Sequence, residues 1–222
     1  MNTLLKTIEV HGHPKIEREI SMVQKRYSSV IAAFDKANAE DPNVEIFNGK
    51  KYPKELLYAM RMTNMQEIYV PEASETLKLA LRAQHIQRWK TPRSDYSMDR
   101  QGYLRWRTVL YKFHAETAGS LMKSAGYDDE SIERVQASIG KKDLKINPET
   151  QLTEDVVGLV FMQHYMFAFA SSHPEYDEAK WIQIIKKTWQ KMSPRAHKFV
   201  LAGKIQLPEA LVPLVLKSIQ PS

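Results

Sequence analysis

Apolar residues recur every three to four positions over most of this chain, the spacing that gives a helix one buried face. Over 15–39, Ile16, Ile20, Val23, Tyr27, Val30, Ile31 and Phe34 fall near one such face. The same period predicts helices near 54–69, 74–89, 103–125, 129–139, 155–170 and 177–191. Turn residues separate them. Pro42, Asn48-Gly49 and Pro53 precede the second helix, and Pro71 follows it. Pro92 and Gly102 bracket a loop rich in Arg and Asp, and Gly126 marks a C-terminal stop. Ser74 reads as an N-cap, and Asp128, Asp129 and Glu130 suit the positive end of a helix dipole. The stretch LKINPETQLTED reads as a loop leading into 155–170. Residues 1–14 are expected to fray, and 200–222 to form a Pro-containing tail. The pattern predicts one all-α helical-bundle domain across residues 1–222, without internal repeats.

Composition narrows the classes. At 43% hydrophobic the chain can build a core, and it contains no cysteine. Disulfides, thiolate zinc sites and a cysteine nucleophile are therefore excluded. The longest apolar run, VVGLVFM, is interrupted by Gln163 and His164, well short of the roughly 20 residues of a membrane span. MNTLLKTIEVHGHPKIERE lacks the apolar centre of a signal peptide. A cytoplasmic setting with no membrane partner is expected. Thirty-two Lys and Arg against 26 Asp and Glu leave a net +6, which favours anionic partners: phosphate esters, nucleotides or RNA. No phosphate-binding glycine loop, GxSxG or HExxH spacing occurs.

The candidate chemistry centres on LRAQHIQRWKTPRSDY, residues 81–96. Six arginines lie between 82 and 107 (Arg82, Arg88, Arg93, Arg100, Arg105 and Arg107), with Lys90 beside them and only Asp95 and Asp99 to oppose them. Guanidinium forks match phosphate and carboxylate oxygens. Arg82, Arg88, Arg93, Arg100, Arg107 and Lys112 are thus candidate substrate contacts, and loop 90–102 a candidate anion-binding lid. The opposing reading is a set of Arg–acid bridges pinning a long loop. Trp89, Tyr96, Tyr103 and Trp106 suit core packing or stacking on arginine.

His11 and His13 suggest adventitious metal binding at most, and His173 and His197 read as ordinary. His85 lies among Arg82, Arg88 and Trp89 at helical spacing, whereas His114 has Leu110, Tyr111, Thr117 and Ala118 around it. Asp155 is read as opening an apolar helix. Its carboxylate would point inward and needs a metal, an arginine or a protonated histidine. A buried hydrogen-bond network is the alternative for all three.

The order His85, His114, Asp155 resembles the HD-type metal-dependent phosphohydrolases, whose pattern is His, then His-Asp, then Asp. That resemblance implies a divalent ion (Zn, Mn, Fe or Mg) on these three residues. His85 would also be a catalytic acid or base, with Glu154 a further carboxylate. The doublet is broken, since Ala115 stands where its Asp belongs.

The runs AAFDKANAEDPN, PKELLYAMRMT, LRAQHIQRWKTPRSDYSMDRQGYLRWR, KFHAETAG, EDVVGLVF and KTWQKMSPRAH resemble the DUF4202 family over about residues 25–200. The resemblance implies an intracellular α-helical domain and supplies no reaction. Where this chain has Gln163, the family's pattern carries Glu. The expected function is metal-dependent hydrolysis of a small phosphate ester or nucleotide. The alternative is an RNA- or anion-binding helical module without chemistry.

Overall fold

The computed structural model describes residues 14–219, with the side chains of 14–17 and 20 excepted. The expected fraying of 1–14, apart from Pro14, and the side chains of His11, His13, Ile16 and Ile20 lie outside the described residues. The protein is mostly α-helical. Its helices are α1 (Pro14–Ala39), α2 (Lys54–Tyr69), α3 (Glu75–Arg82), α4 (Arg100–Ser124), α5 (Asp129–Ile139), α6 (Pro148–Val160), α7 (Met166–Ser171), α8 (Glu178–Lys191), α9 (Pro194–Leu201) and α10 (Val212–Ile219). Among the described residues, no helix is long and apolar enough to cross a membrane.

Several boundaries depart from expectation for local reasons. Between α1 and α2 the chain forms an antiparallel hairpin, β1 (Val44–Phe47) paired with β2 (Lys50–Pro53). Asn48 and Gly49 both take left-handed backbone, as a two-residue hairpin turn requires. The helix expected over 74–89 ends at Arg82, and short 3-10 turns follow at Arg88–Lys90 and Arg93–Asp95. Helix α6 starts seven residues earlier than the apolar pattern suggests. Asn147 accepts from the Glu149 and Thr150 N–H groups, and Pro148 occupies the first turn. Between α6 and α7, Phe161–Tyr165 is wound as a π-helical turn. Helix α9 runs into the start of the expected tail, which also holds a 3-10 turn at Glu209–Leu211 and α10.

Helix α3 is the spine. Leu77 and Leu81, one turn apart, enter a core with Met62, Leu159, Met162, Met166 and Ile185. Leu79, Ala80 and Ala83 point oppositely into a second core with Phe34, Ile86, Met122, Val135 and Ile139. Each buried leucine contributes about 1.5–3 kcal/mol by leaving water. A helix this short is held by burial on two sides, and its C-terminal end is fixed between the two cores. His85 lies three residues beyond that end.

Gly102, in the first turn of α4, sets how the Arg-rich loop meets the helix. Its N–H donates to the Asp99 cap at 2.7 Å. A Cβ there would lie 2.0 Å from the Ser97 carbonyl oxygen. Gly102→Ala should therefore displace the Ser97–Asp99 turn and cost about 1–3 kcal/mol, read from urea unfolding.

Candidate functional site

The chain leaves α3 through a tight turn that aims His85 and His114 toward each other. Gln87 takes φ 52, a left-handed conformation that costs a non-glycine residue roughly 1–2 kcal/mol. Two bonds hold it there. The Gln87 N–H donates to buried Asn38 Oδ1 of α1 at 3.0 Å. The Ile86 carbonyl accepts from His114 Nδ1 of α4 at 2.8 Å. The imidazole rings of His85 and His114 then stand 5.9 Å apart.

His85 is sandwiched by polar partners. Its ring stacks on Tyr58 of α2 at 3.9 Å. Its Nδ1 lies 3.4 Å from Glu55 Oε2, and its Nε2 lies 3.2 Å from Arg88 Nη1. Guanidinium only donates, so Nε2 accepts and the ring proton sits on Nδ1, facing Glu55. The His85 side chain is 24% exposed while that of Glu55 is 8% exposed. The imidazole edge is therefore reachable from solvent and the carboxylate behind it is not. Burial, reinforced by the Arg88 charge, holds His85 well below the ordinary histidine range. Burial also pushes the Glu55 carboxyl up to about 7, against the pull of Arg88 and Lys54. His114 is drawn down to about 3 by burial and then by His85.

Further cations border this pair. The Arg107 guanidinium donates to the Tyr103 and Tyr111 hydroxyls. Arg88 lies over the Trp106 ring at 4.9 Å. Among the described residues, neither Arg88 nor Arg107 forms an ion pair with a carboxylate. Lys141, with left-handed backbone at φ 59, brings its ammonium 2.8 Å from Glu154 Oε2. Lys191 approaches the other Glu154 oxygen at 3.8 Å. Burial works to raise the Glu154 carboxyl, but Lys141, Lys191 and Arg107 outweigh it and keep it low. The charges of Lys141 and Arg107 reach His85. Two strained left-handed residues in one polar cluster are a mark of sites where geometry outranks local comfort.

The other expected residues divide. Arg82 is committed to the fold: its Nε and Nη2 meet both Asp35 oxygens at 2.7 Å, and Nη1 donates to Thr63 Oγ1. Arg93 donates to the Tyr96 and Asp99 carbonyls, pinning the loop. Arg100 is exposed at the start of α4. Lys112 points to solvent, 3.7 Å from Glu116 on the same helix.

Asp155 does not open a helix; it sits in the interior of α6 and is fully buried. Its oxygens accept from Tyr69 Oη at 2.8 Å, Gln151 Nε2 at 3.0 Å, and the Ser193 N–H and Oγ, both at 2.6 Å. The cationic partner expected for it is replaced by four neutral donors. Among the described residues, no three His, Asp or Glu side chains approach closely enough to share a metal ion. His85 and His114 come together, and Asp155 does not complete a ligand set with them.

Glu55, Tyr58 and Lys141 were not expected at the site. PKELLYAM gives no hint that its glutamate turns inward, because the residue it meets lies 30 positions further along. Gly140-Lys141 carries the weak signal of a helix stop, which places the lysine but not its direction.

No curated protein and no solved structure matches the chain. The family description that matches is Domain of unknown function (DUF4202), over residues 28–215. That span takes in α2 through α9 and every residue of the cluster, so the chain belongs to the DUF4202 family.

Proposed function

We propose that the protein hydrolyses a small phosphate ester or nucleotide, binding its anionic end on Arg88 and Arg107 at the exposed edge of His85. The observation that carries this reading is the row Glu55–His85–Arg88. A buried carboxylate faces the ring proton, and the opposite ring nitrogen is covered by a guanidinium without a carboxylate of its own. An arriving phosphate is the better partner for Arg88, since charge-assisted forks outrank a bond to neutral imidazole. When Arg88 turns to the phosphate, the His85 Nε2 lone pair is released toward water. His85 then takes the water proton as the water oxygen bonds to phosphorus and the ester P–O bond breaks, and the imidazolium returns that proton to the leaving alkoxide oxygen, while Glu55 holds the Nδ1–H and stabilises the imidazolium. The guanidiniums receive the charge that develops on the phosphoryl oxygens. Lys141 extends the positive border, and Glu154 keeps that lysine in place. Among the described residues no three His, Asp or Glu side chains are arranged to share a metal ion, and this reading gives water activation to His85 itself.

The test is phosphate release from a panel of phosphomonoesters and nucleotides, with binding followed by calorimetry. Arg88→Ala should weaken binding of the anionic ligand by about ten- to a hundredfold, the worth of a hydrogen bond to a charged group. His85→Ala should abolish turnover and leave binding largely in place. Binding without turnover by the wild type would favour the non-catalytic anion-binding reading. No binding of any phosphorylated compound would overturn both.

A further inference from the structure

The second ring nitrogen of His114 has no partner among the described residues. Its Nδ1 lies against the Ile86 carbonyl, which can only accept, so Nδ1 carries the ring proton. In the neutral ring that leaves Nε2 as a bare lone pair. Nε2 is buried, and no protein donor reaches it. A buried acceptor in this state calls for a donor from outside the chain. Arg88, Arg107 and Lys141 supply only donors, which suits the oxygens of a phosphate. His114 Nε2 supplies the opposite function, and it does so one ring away from His85. The His114 ring stands 5.9 Å from the His85 ring, whose Nε2 is covered by Arg88, so the unpaired nitrogen lies next to the proposed phosphate contacts.

We propose that His114 Nε2 accepts a hydrogen bond from a hydroxyl of the ligand, so that the substrate is a phosphate ester bearing a free hydroxyl close to its ester carbon. This rests on the phosphate-ester reading above and adds what it leaves open, the organic part. Polyol and sugar phosphates satisfy both halves of the site. Inorganic phosphate and alkyl phosphates satisfy the cations and leave His114 unpaired. His114 is then a specificity-determining residue, fixed in its tautomer by the backbone of the His85 turn.

The experiment compares α-glycerol phosphate with propyl phosphate, which share charge and chain length and differ in the hydroxyls. Wild-type protein should bind the glycerol ester about ten- to a hundredfold more tightly. His114→Asn should erase that preference while retaining affinity for propyl phosphate, because an Asn amide can still donate to the Ile86 carbonyl and lacks the second nitrogen. Thermal unfolding of the variant checks that the turn survives. Equal binding of the two esters by wild type overturns the inference and leaves the phosphate reading standing. So does a preference that persists in a folded His114→Asn. If the variant does not fold, the wild-type comparison alone decides. If neither ester binds, the phosphate reading falls, and this inference with it.

Discussion

Asp155→Ala should lower the stability of the protein by about 3–5 kcal/mol, because it strips the acceptor from several buried donors at once, each costing about 1–3 kcal/mol when left unsatisfied. The Ser193 N–H and hydroxyl, the Tyr69 hydroxyl and one Gln151 N–H all end on this carboxylate. Ser193 is in turn the N-cap of α9, accepting from the Ala196 N–H at 3.3 Å. The substitution therefore loosens a helix start as well as a buried cluster. For a chain of this length the melting temperature should fall by roughly 10 °C or more. Asp155→Asn should recover only part of the loss, since its amide nitrogen presents a donor where donors already converge. A drop below about 1 kcal/mol for Asp155→Ala would show that the network carries little of the stability.

Acid should unfold the protein steeply below about pH 4.5, and His114 should be a principal cause. The His114 imidazole is held at about 3 in the folded chain against an ordinary 6.5, so between those values the unfolded chain binds more protons. Its contribution is complete above 6.5 and is lost as pH falls toward 3, by about 5 kcal/mol at roughly 1.4 kcal/mol per pH unit. His85, also held low, acts in the same direction. Glu55 acts oppositely. Its carboxyl is raised from 4.5 to about 7, so the folded chain binds the extra proton between those values. Stability from this group falls by about 3 kcal/mol as pH rises through that window. From 4.5 to 6.5 the two partly cancel, and below 4.5 the histidines are unopposed. Urea unfolding across pH 3.5 to 8 should show this shape. His114→Asn should flatten the acid limb, and Glu55→Gln should flatten the descent toward neutrality. An acid limb unchanged in His114→Asn would exclude the imidazole as its source.

Much of the helical framework was legible because it is written locally. Residues 129–139 are the extent of α5, and Ser74 caps α3 by accepting from the Leu77 N–H. The error at α6 was also local. Asn147-Pro148 is a cap followed by a first-turn proline, but the polar residues after it masked the signal until the apolar face began. The same holds for Asn48-Gly49, whose demand for two left-handed residues specifies a hairpin more strongly than a loose turn. The candidate cluster divides differently. That His85, Arg88, Arg107 and His114 deserved attention was visible because cations and imidazoles are rare enough to stand out. Glu55 and Lys141 were not, since their roles depend on which helices become neighbours. Arg82 was indistinguishable from Arg88 in the sequence. It faces Asp35 of α1, whereas Arg88, past the left-handed turn, faces His85. Asp155 was rightly expected to be buried, and three of its four donors came from segments 38 and 86 residues away.

Those separations set an order of assembly. Most helical turns close within four residues, whereas the ties on Asp155 to Tyr69 and Ser193 span 86 and 38 residues, and the Arg195 bond to the Tyr69 carbonyl spans 126. Long closures form after local ones, because chain entropy must be lost before their contacts exist. During synthesis, α2 and α6 are both made before Ser193 emerges. Until then Asp155 is an ionisable group in an apolar seam without its two shortest bonds, which disfavours closing that seam early. The same carboxylate that locks the finished molecule should therefore disfavour closing this seam until the start of α9 has been made.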